Sequence, residues 1–512
     1  MTRSVTRRPV PPPRLRPGAT AERPVNAARR LPVAALTSRI DVRAPRPLTV
    51  AVVGAGFAGM AAAAAFHNSG IDVTVYEPYG EVGGRVRSDH RLIPGRIVEA
   101  GAELIGSNHP VWLHLARALD LGLSVLTTSD DYDHMGLTRR MRMGGQVIDQ
   151  ATMHRLEPWV ERALDDLSQR ARAAMPASLS HRPWDAPDAA ANDARSIREW
   201  IDHVVASLRP PRDVAGLLGI VLDFELENHM TVPTRRQSLL AHYAAIAGGG
   251  YERYWTETEV YRCESGNDAL AKRLAAQVRA GRNGSVRLQE KVTHLTVGAD
   301  HVEVLSESTV ASLRIPPSTY DYVVLTAPPT TWGDITIDGS RSWYGRLLVQ
   351  CGPAVKYLAH VPSRYWLARD RAPAAFHDRL GQVWESTDNQ TGDHAIGLTV
   401  FAGGPVAARP EGDYPAGIAE VLPGFHAAGR HLFANWPAEE FVKTGYACPA
   451  PGQVTTVVRA LQEPFRGRIY FAGEHCSPDF FGYMEGALQS GLAAYRRILD
   501  AEGIVTASTA RP

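Results

Sequence analysis

The sequence predicts an α/β fold with an α+β insert, and three observations carry that prediction. An apolar β-type run, Leu48–Val53, ends in Gly54-x-Gly56-x-x-Gly59 and opens into an alanine-rich helix. A second strand-like run, Asp72–Tyr76, follows closely and completes a βαβ unit of about 30 residues. At the far end of the chain, Arg468–Ile498 again reads as strand, glycine-rich turn and helix. Long stretches of different character separate the two ends. The Rossmann-like unit is therefore expected to be discontinuous, with mixed-sheet and helical segments inserted between its pieces.

The elements follow in order. The helix from about Phe57 to Ser69 is nearly all alanine, as a helix packed tightly on a sheet requires. His109-Pro110 opens a second helix to about Asp120, with proline where a helix start tolerates it. Residues 150–208 read as helical and charged, broken by Pro-rich loops near Pro176 and Pro183–Pro187, and suggest a mobile substrate or lid region. Strand-like runs return at Ser285–Leu288, Val302–Leu305, Tyr322–Leu325, Val355–Val361 and Ala395–Phe401.

Bulk properties exclude several classes. With 512 residues, 44% apolar and 21% charged, the chain is long enough for two or more cores. Four cysteines (Cys263, Cys351, Cys448, Cys476) lie far apart, which argues for free thiols in a reducing compartment and for no metal site. No apolar run nears the roughly 18 residues of a membrane span, and the expected location is cytoplasmic. Net charge is +1, yet residues 1–47 hold eleven Arg against Glu22 and Asp41, with nine Pro. Such a stretch buries too little to offset its ordering entropy, so a disordered basic tail is expected. Arg29-Arg30 faintly resembles a twin-arginine signal, but the apolar stretch behind it is too short. A solvated tail is favoured over one that touches nucleic acid or lipid.

The glycine fingerprint has a mechanical reading. Gly54 permits a tight turn, Gly56 lets backbone approach a pyrophosphate, and Gly59 lets helix and strand sit close. Phe57 and Ala58 open the helix whose N–H groups face the phosphates. Glu77, ending the second strand, is placed to accept both hydroxyls of an adenosine ribose and disfavours a 2′-phosphate. Gly83-Gly84-Arg85, six residues on, brings backbone and a guanidinium fork onto the same phosphates.

At this point the sequence resembles the flavin-dependent amine oxidase family, which includes monoamine, polyamine and L-amino acid oxidases. The resemblance covers most of the ordered chain. It implies FAD, with Glu99-Ala-Gly101-Ala102-Glu103-Leu104-Ile-Gly106 lying against the isoalloxazine ring and Val292 meeting the adenine. It implies that Lys356 holds a water near flavin N5 and that Trp436 lines the ring. Gly473-Glu474 and Gly482-Tyr483-Met484-Glu485-Gly486, with Ala487, resemble the closing motif. There a helix N-terminus favours negative charge on the flavin and Tyr483 walls the substrate site. Lys356 and Tyr483 are the expected catalytic residues. The resulting division is a tail over 1–47, an FAD-binding domain from 48–118, 255–330 and 437–502, a substrate domain from 119–254 and 331–436, and a flexible tail over 503–512.

Departures from the family pattern sharpen the expectation. The position of the flavin-tethering cysteine of monoamine oxidases is Tyr446 here, with Cys448 two residues later, so non-covalent FAD is expected. The second cage tyrosine falls at Ala447, leaving a cage that is incomplete or completed by Tyr446. The arginine that L-amino acid oxidases use for the substrate carboxylate is Leu104. Arg253 and Arg262 are alternative donors, though each reads first as a surface or packing residue. Glu103 is either structural or a partner for a cationic amine. Tyr251–Trp255, Trp384-Glu385 and Phe480-Phe481 are further pocket aromatics or simply core. The expected function is oxidation of a small-molecule amine by hydride transfer to FAD, with O2 as acceptor and H2O2 as product. An L-amino acid oxidase, a flavin-dependent desaturase or isomerase, and a non-catalytic flavin-binding protein are the alternatives. No nucleic-acid or membrane partner is expected, and a homodimer is allowed.

Overall fold

The computed structural model describes residues 31–42, 46–311 and 313–504. Five parallel strands form the sheet that positions the site. Their order is Ile469–Phe471, Tyr322–Leu325, Thr49–Val53, Asp72–Glu77, Gly284–Leu288. The first and last segments of the chain thus stand one strand apart in one sheet. Their carboxyl ends, at Gly54, Glu77 and Ala472, open on the same side, where ligands of doubly wound sheets sit.

The helix Phe57–Asn68 lies on this sheet with Phe57 through Phe66 all buried. Its glycines make that packing possible. A Cβ at Gly59 would lie 1.9 Å from the Gly54 carbonyl oxygen, and one at Gly491 would lie 2.3 Å from that of Ala58. The C-terminal helix Met484–Ala501 therefore packs backbone-close on Phe57–Asn68, fastening the two ends of the chain together.

A four-stranded sheet (Arg314–Tyr320, Val302–Ser308, Glu290–Val297, Thr336–Ile337) flanks the parallel one. Strand Arg314–Tyr320 carries Pro316 and Pro317, which mask its strand character in sequence; it is the edge strand, where missing N–H donors cost little. A seven-stranded mixed sheet runs His431–Asn435, Ala354–Ser363, His394–Gly403, Gly381–Glu385, Arg371–His377, Thr138–Met143, Gln146–Ile148. The last two form a hairpin the sequence reading missed, because Thr138–Met143 is dominated by arginine. Helices Gln150–Ala174, Ile197–Leu208, Arg212–Met230 and Leu239–Gly248 build a separate apolar cluster.

Two expectations at the termini need correction. Residues ahead of Leu48, where order was expected to begin, already pack on the core. Ala35 and Leu36 are fully buried, Leu31, Val33, Ile40 and Val42 pack on the same core, and Asn68 Nδ2 and Gln277 Nε2 donate to the carbonyls of Ala35 and Leu36. The short apolar stretch behind Arg29-Arg30 is thus a packed strap across the helix Phe57–Asn68. The rest of the tail call (1–30 and 43–45) and residues 505–512 lie outside the described residues, while Ile504 is buried in the core rather than part of a tail.

Candidate active site

One cavity of about 930 Å3 gathers residues from both ends of the chain and from the middle. Gly54, Gly56, Phe57, Ala58, Glu77, Gly84 and Arg85 line it at one end. Gly473, Glu474, Gly482, Tyr483, Met484 and Ala487 line it from the C-terminal segment. Gly101 through Leu104, Val292, Lys356, Trp384, Trp436 and Tyr446 complete it from between. Two predicted residues stand apart. Gly59 lies behind the wall, where it permits the helix–strand approach. Ala447 is turned away, packed with Val349 and Val458, because its strand pairs with Cys351-Gly352. The second cage position is therefore not presented to the cavity, whereas Tyr446 is.

The cavity fits a dinucleotide at its first end. The helix Phe57–Asn68 starts at Gly56 with no side-chain cap and no acidic residue in its first turn, so its N–H groups and partial positive charge face the cavity. Gly54 and Gly84 hold φ of +110° and +60°, which few side chains tolerate. Glu77 Oε2 and Oε1 accept from Ala55 N (2.7 Å) and Tyr79 N (3.0 Å), which orients the carboxyl and leaves lone pairs free. Burial pushes its pKa up to about 7, against the pull of those two N–H groups.

Arg85 joins the two chain ends directly. Its NH1 donates to Glu474 Oε1 and to the Gly445 carbonyl, both at 2.7 Å. Glu474 also accepts from Gly482 N (2.8 Å), fixing the turn before the last helix. Burial pushes the Glu474 carboxyl up, but Arg85 and these donors outweigh it and hold it below its ordinary value.

Deeper in, Glu103 is the hub of a buried polar cluster. It accepts from Lys356 Nζ (2.6 Å), Arg262 NH2 (2.6 Å) and Trp384 Nε1 (2.9 Å). The two cations outweigh desolvation and keep its pKa low. Lys356 also donates to the Glu99 carbonyl (3.1 Å) and lies 5.5 Å from the Trp384 ring centre. Glu103 is thus engaged by three protein donors, in line with the structural reading of that residue. Of the two arginines weighed as carboxylate donors, Arg253 points outward in a helical pair with Glu257, while Arg262 lines the cavity.

A second polar group went unrecognised in the sequence. Tyr483 bonds His229 Nε2 (2.8 Å) and Tyr254 Oη (3.1 Å), and His229 Nδ1 lies 3.6 Å from Glu259 Oε1. The Tyr446 hydroxyl donates to the His229 carbonyl. No motif flags His229 or Glu259, since one ends a helix of the insert and the other sits in a loop.

Residues 57–499 match the profile of the family described as flavin containing amine oxidoreductase. The chain belongs to that family. Among curated relatives, a probable flavin-containing monoamine oxidase A of Dictyostelium discoideum is 24% identical over 88% of this chain and 97% of its own length. Polyamine oxidase 4 of Oryza sativa subsp. japonica is 24% identical over 92% and 93%. Among solved structures, wild-type putrescine oxidase bound to putrescine superposes with a TM-score of 0.71 at 19% identity, covering 89% of this chain and 99% of its own. Cyclohexylamine oxidase of Brevibacterium oxydans gives 0.69 at 20%, covering 89% and 99%.

As a flavin-containing amine oxidase, the protein is an oxidoreductase acting on CH–NH2 or CH–NH groups, with FAD as cofactor. No helix of the described residues is long and apolar enough to cross a membrane, and none of their His, Cys, Asp and Glu residues group as a metal site. The tether position carries the Tyr446 phenol, and Cys448 is fully buried in the helical cluster, off the cavity wall. Acid-denatured protein is therefore expected to release its yellow chromophore into the supernatant. Colour that stays on the precipitated polypeptide would instead point to Cys448.

Proposed function

We propose that this amine oxidase converts a neutral amine to an imine, which hydrolyses to a carbonyl compound and ammonia or a smaller amine. The observation that carries this reading is that Gly54 and Gly56 of the glycine fingerprint, Lys356 and Gly482–Met484 line one cavity. Bound FAD would be held by the N–H groups at Phe57 and Ala58, by Arg85 and Gly84 at the phosphates, by Glu77 at the ribose and by Val292 at the adenine. Gly101–Leu104, Trp436, Gly473, Glu474 and the helix N-terminus at Met484 would hold the ring. The chemistry the flavin supplies there is acceptance of a hydride from the carbon next to nitrogen, with O2 as the terminal acceptor and H2O2 as product.

The chain's own part is positioning and electrostatics. Tyr483 presents its ring and hydroxyl to the amine. Lys356 places positive charge, and a water, beside the reacting centre. Lys356 and Arg262 together outnumber Glu103, so this end of the cavity stabilises a bound amine in its neutral form over the ammonium.

One observation favours amino acids as a second reading. Arg262 Nε and NH1 are buried and have no hydrogen-bond partner among the described residues, which leaves donors for a carboxylate that Leu104 does not supply. A single screen separates the readings: peroxide release with a panel of amines and a panel of L-amino acids. Turnover of amines alone supports the main reading and turnover of amino acids alone the second. Silence across both panels would overturn the oxidase assignment.

A further inference from the structure

An amine oxidised by C–H cleavage must first lose the proton it carries in solution. An alkylammonium titrates near ~10.4, so at neutral pH only about one molecule in 10³ is free amine. The polar group behind Tyr483 has the connectivity to remove that proton. His229 sits in the last turn of Arg212–Met230, beside the Tyr483 hydroxyl. Its Nδ1 faces Glu259, which selects the tautomer with the proton on Nδ1 and leaves Nε2 to accept from the Tyr483 hydroxyl. Tyr254 donates to the Tyr483 oxygen, whose remaining lone pair is open to a donor from the cavity. His229 and Glu259 both line the cavity with side chains about two-fifths exposed, 39% and 41%, so the far end of the chain of bonds reaches water.

We propose that His229, oriented by Glu259, takes the proton of the incoming ammonium through the Tyr483 hydroxyl. The ammonium N–H bond breaks and its proton passes to the Tyr483 oxygen. The Tyr483 hydroxyl proton moves to His229 Nε2, leaving neutral amine and an imidazolium paired with Glu259. The Nδ1 proton then leaves to water beside Glu259, which leaves the Nε2–H tautomer; exchange of ring protons with water and rotation of the Tyr483 hydroxyl return the Nδ1–H tautomer before the next turnover. No electrons move. Tyr483 is the residue in contact with the amine, and His229 and Glu259 act behind it as positioning residues. The ionisable groups that face His229 are Glu259 from the loop after Glu252–Glu257, Tyr254 from that helix, Tyr483 from the last helix, Tyr446 from the short strand and His242 from Leu239–Gly248. Glu259 is the carboxylate against the ring, 3.6 Å from Nδ1. The step rests on the amine-oxidase reading above.

The test is anaerobic stopped-flow reduction of the holoenzyme's FAD by cyclohexylamine, benzylamine and putrescine from pH 6 to pH 10. It is run on the wild type, His229→Gln, Glu259→Gln and Tyr483→Phe, each checked for FAD content and melting temperature. Glutamine keeps an acceptor for Tyr483 but does not titrate. In His229→Gln and Tyr483→Phe, the second-order reduction constant should fall about 100-fold at pH 7, the lower end for general-base assistance. The deficit should vanish near pH 10, where the amine arrives deprotonated. Glu259→Gln should show the same pattern with a smaller loss. A loss in His229→Gln that is equal at every pH, or no loss, overturns the relay while leaving the oxidase reading intact. If none of the three amines reduces the wild type and the peroxide panels are silent, the oxidase reading falls and the relay with it.

Discussion

Lys356→Met is expected to slow reduction or reoxidation of the bound flavin by about 100-fold or more while FAD stays bound, in line with the loss of one preorganised electrostatic group. The expectation follows from where the charge sits. The Lys356 side chain is 7% exposed and is aimed into the cavity wall by Glu103 and the Glu99 carbonyl. Methionine fills nearly the same volume, so no large cavity is created. Glu103 also keeps Arg262 at 2.6 Å and Trp384 Nε1 at 2.9 Å. The variant should thus avoid most of the ~3–5 kcal/mol cost of an unpaired buried charge and fold with its cofactor. Glu103→Gln is the informative contrast, because it strands two cations and should damage stability as well as rate. Stopped-flow measurement of both half-reactions decides the matter: wild-type rates in each would remove Lys356 from the catalytic set.

How much of this was legible in sequence depended on how local the signal was. The strand–glycine–helix unit was readable because Gly54, Gly56 and Gly59 each answer a local steric demand, and Gly59 meets the Gly54 carbonyl only five residues away. The pairing of the two chain ends was readable through the motif Gly482–Gly486, although its physical cause, backbone contact of Gly491 with Ala58, has no sequence signature. Edge strand Arg314–Tyr320 was missed because prolines override strand propensity where one edge is open, and interior strand Thr138–Met143 because its half-buried arginines mask the strand pattern. The strap at Leu31–Val42 was missed because its few apolar residues sit in arginine- and proline-rich surroundings, and only the surface it covers gives them a partner. Tyr254 fell within the run Tyr251–Trp255 already weighed as pocket aromatics or core, but His229 and Glu259 were illegible for a further reason. They come from an insert helix and a loop, and only the tertiary fold brings them behind Tyr483.

Arg85→Ala should be the most damaging single change to the cofactor end, and its pH dependence identifies the cause. Arg85 is ion-paired with Glu474 at 2.7 Å, and it also holds the Gly445 carbonyl. Removing it leaves a buried carboxylate with backbone donors alone, a loss on the order of 3–5 kcal/mol, and takes a guanidinium from the phosphate end of the cavity. FAD content on purification should fall accordingly. In the wild type the Glu474 carboxyl is held below its ordinary value. Its contribution is therefore present above the unfolded pKa, about 4.3, and is lost only as pH falls through the lower folded value. In the variant the burial that opposes ionisation is no longer outweighed, so the folded pKa rises above the unfolded one and the native state binds the extra proton. The deficit in unfolding free energy should accordingly be largest at pH 7 to 8 and shrink as pH is lowered toward 5. Urea titrations of both proteins at pH 7.5 and pH 5 measure it. Arg85→Lys should recover part of the stability, because a point charge restores the Coulomb attraction without the fork that reaches Gly445. A deficit that does not vary with pH would mean that Arg85 acts through packing and the Gly445 bond, and that Glu474 does not depend on its charge.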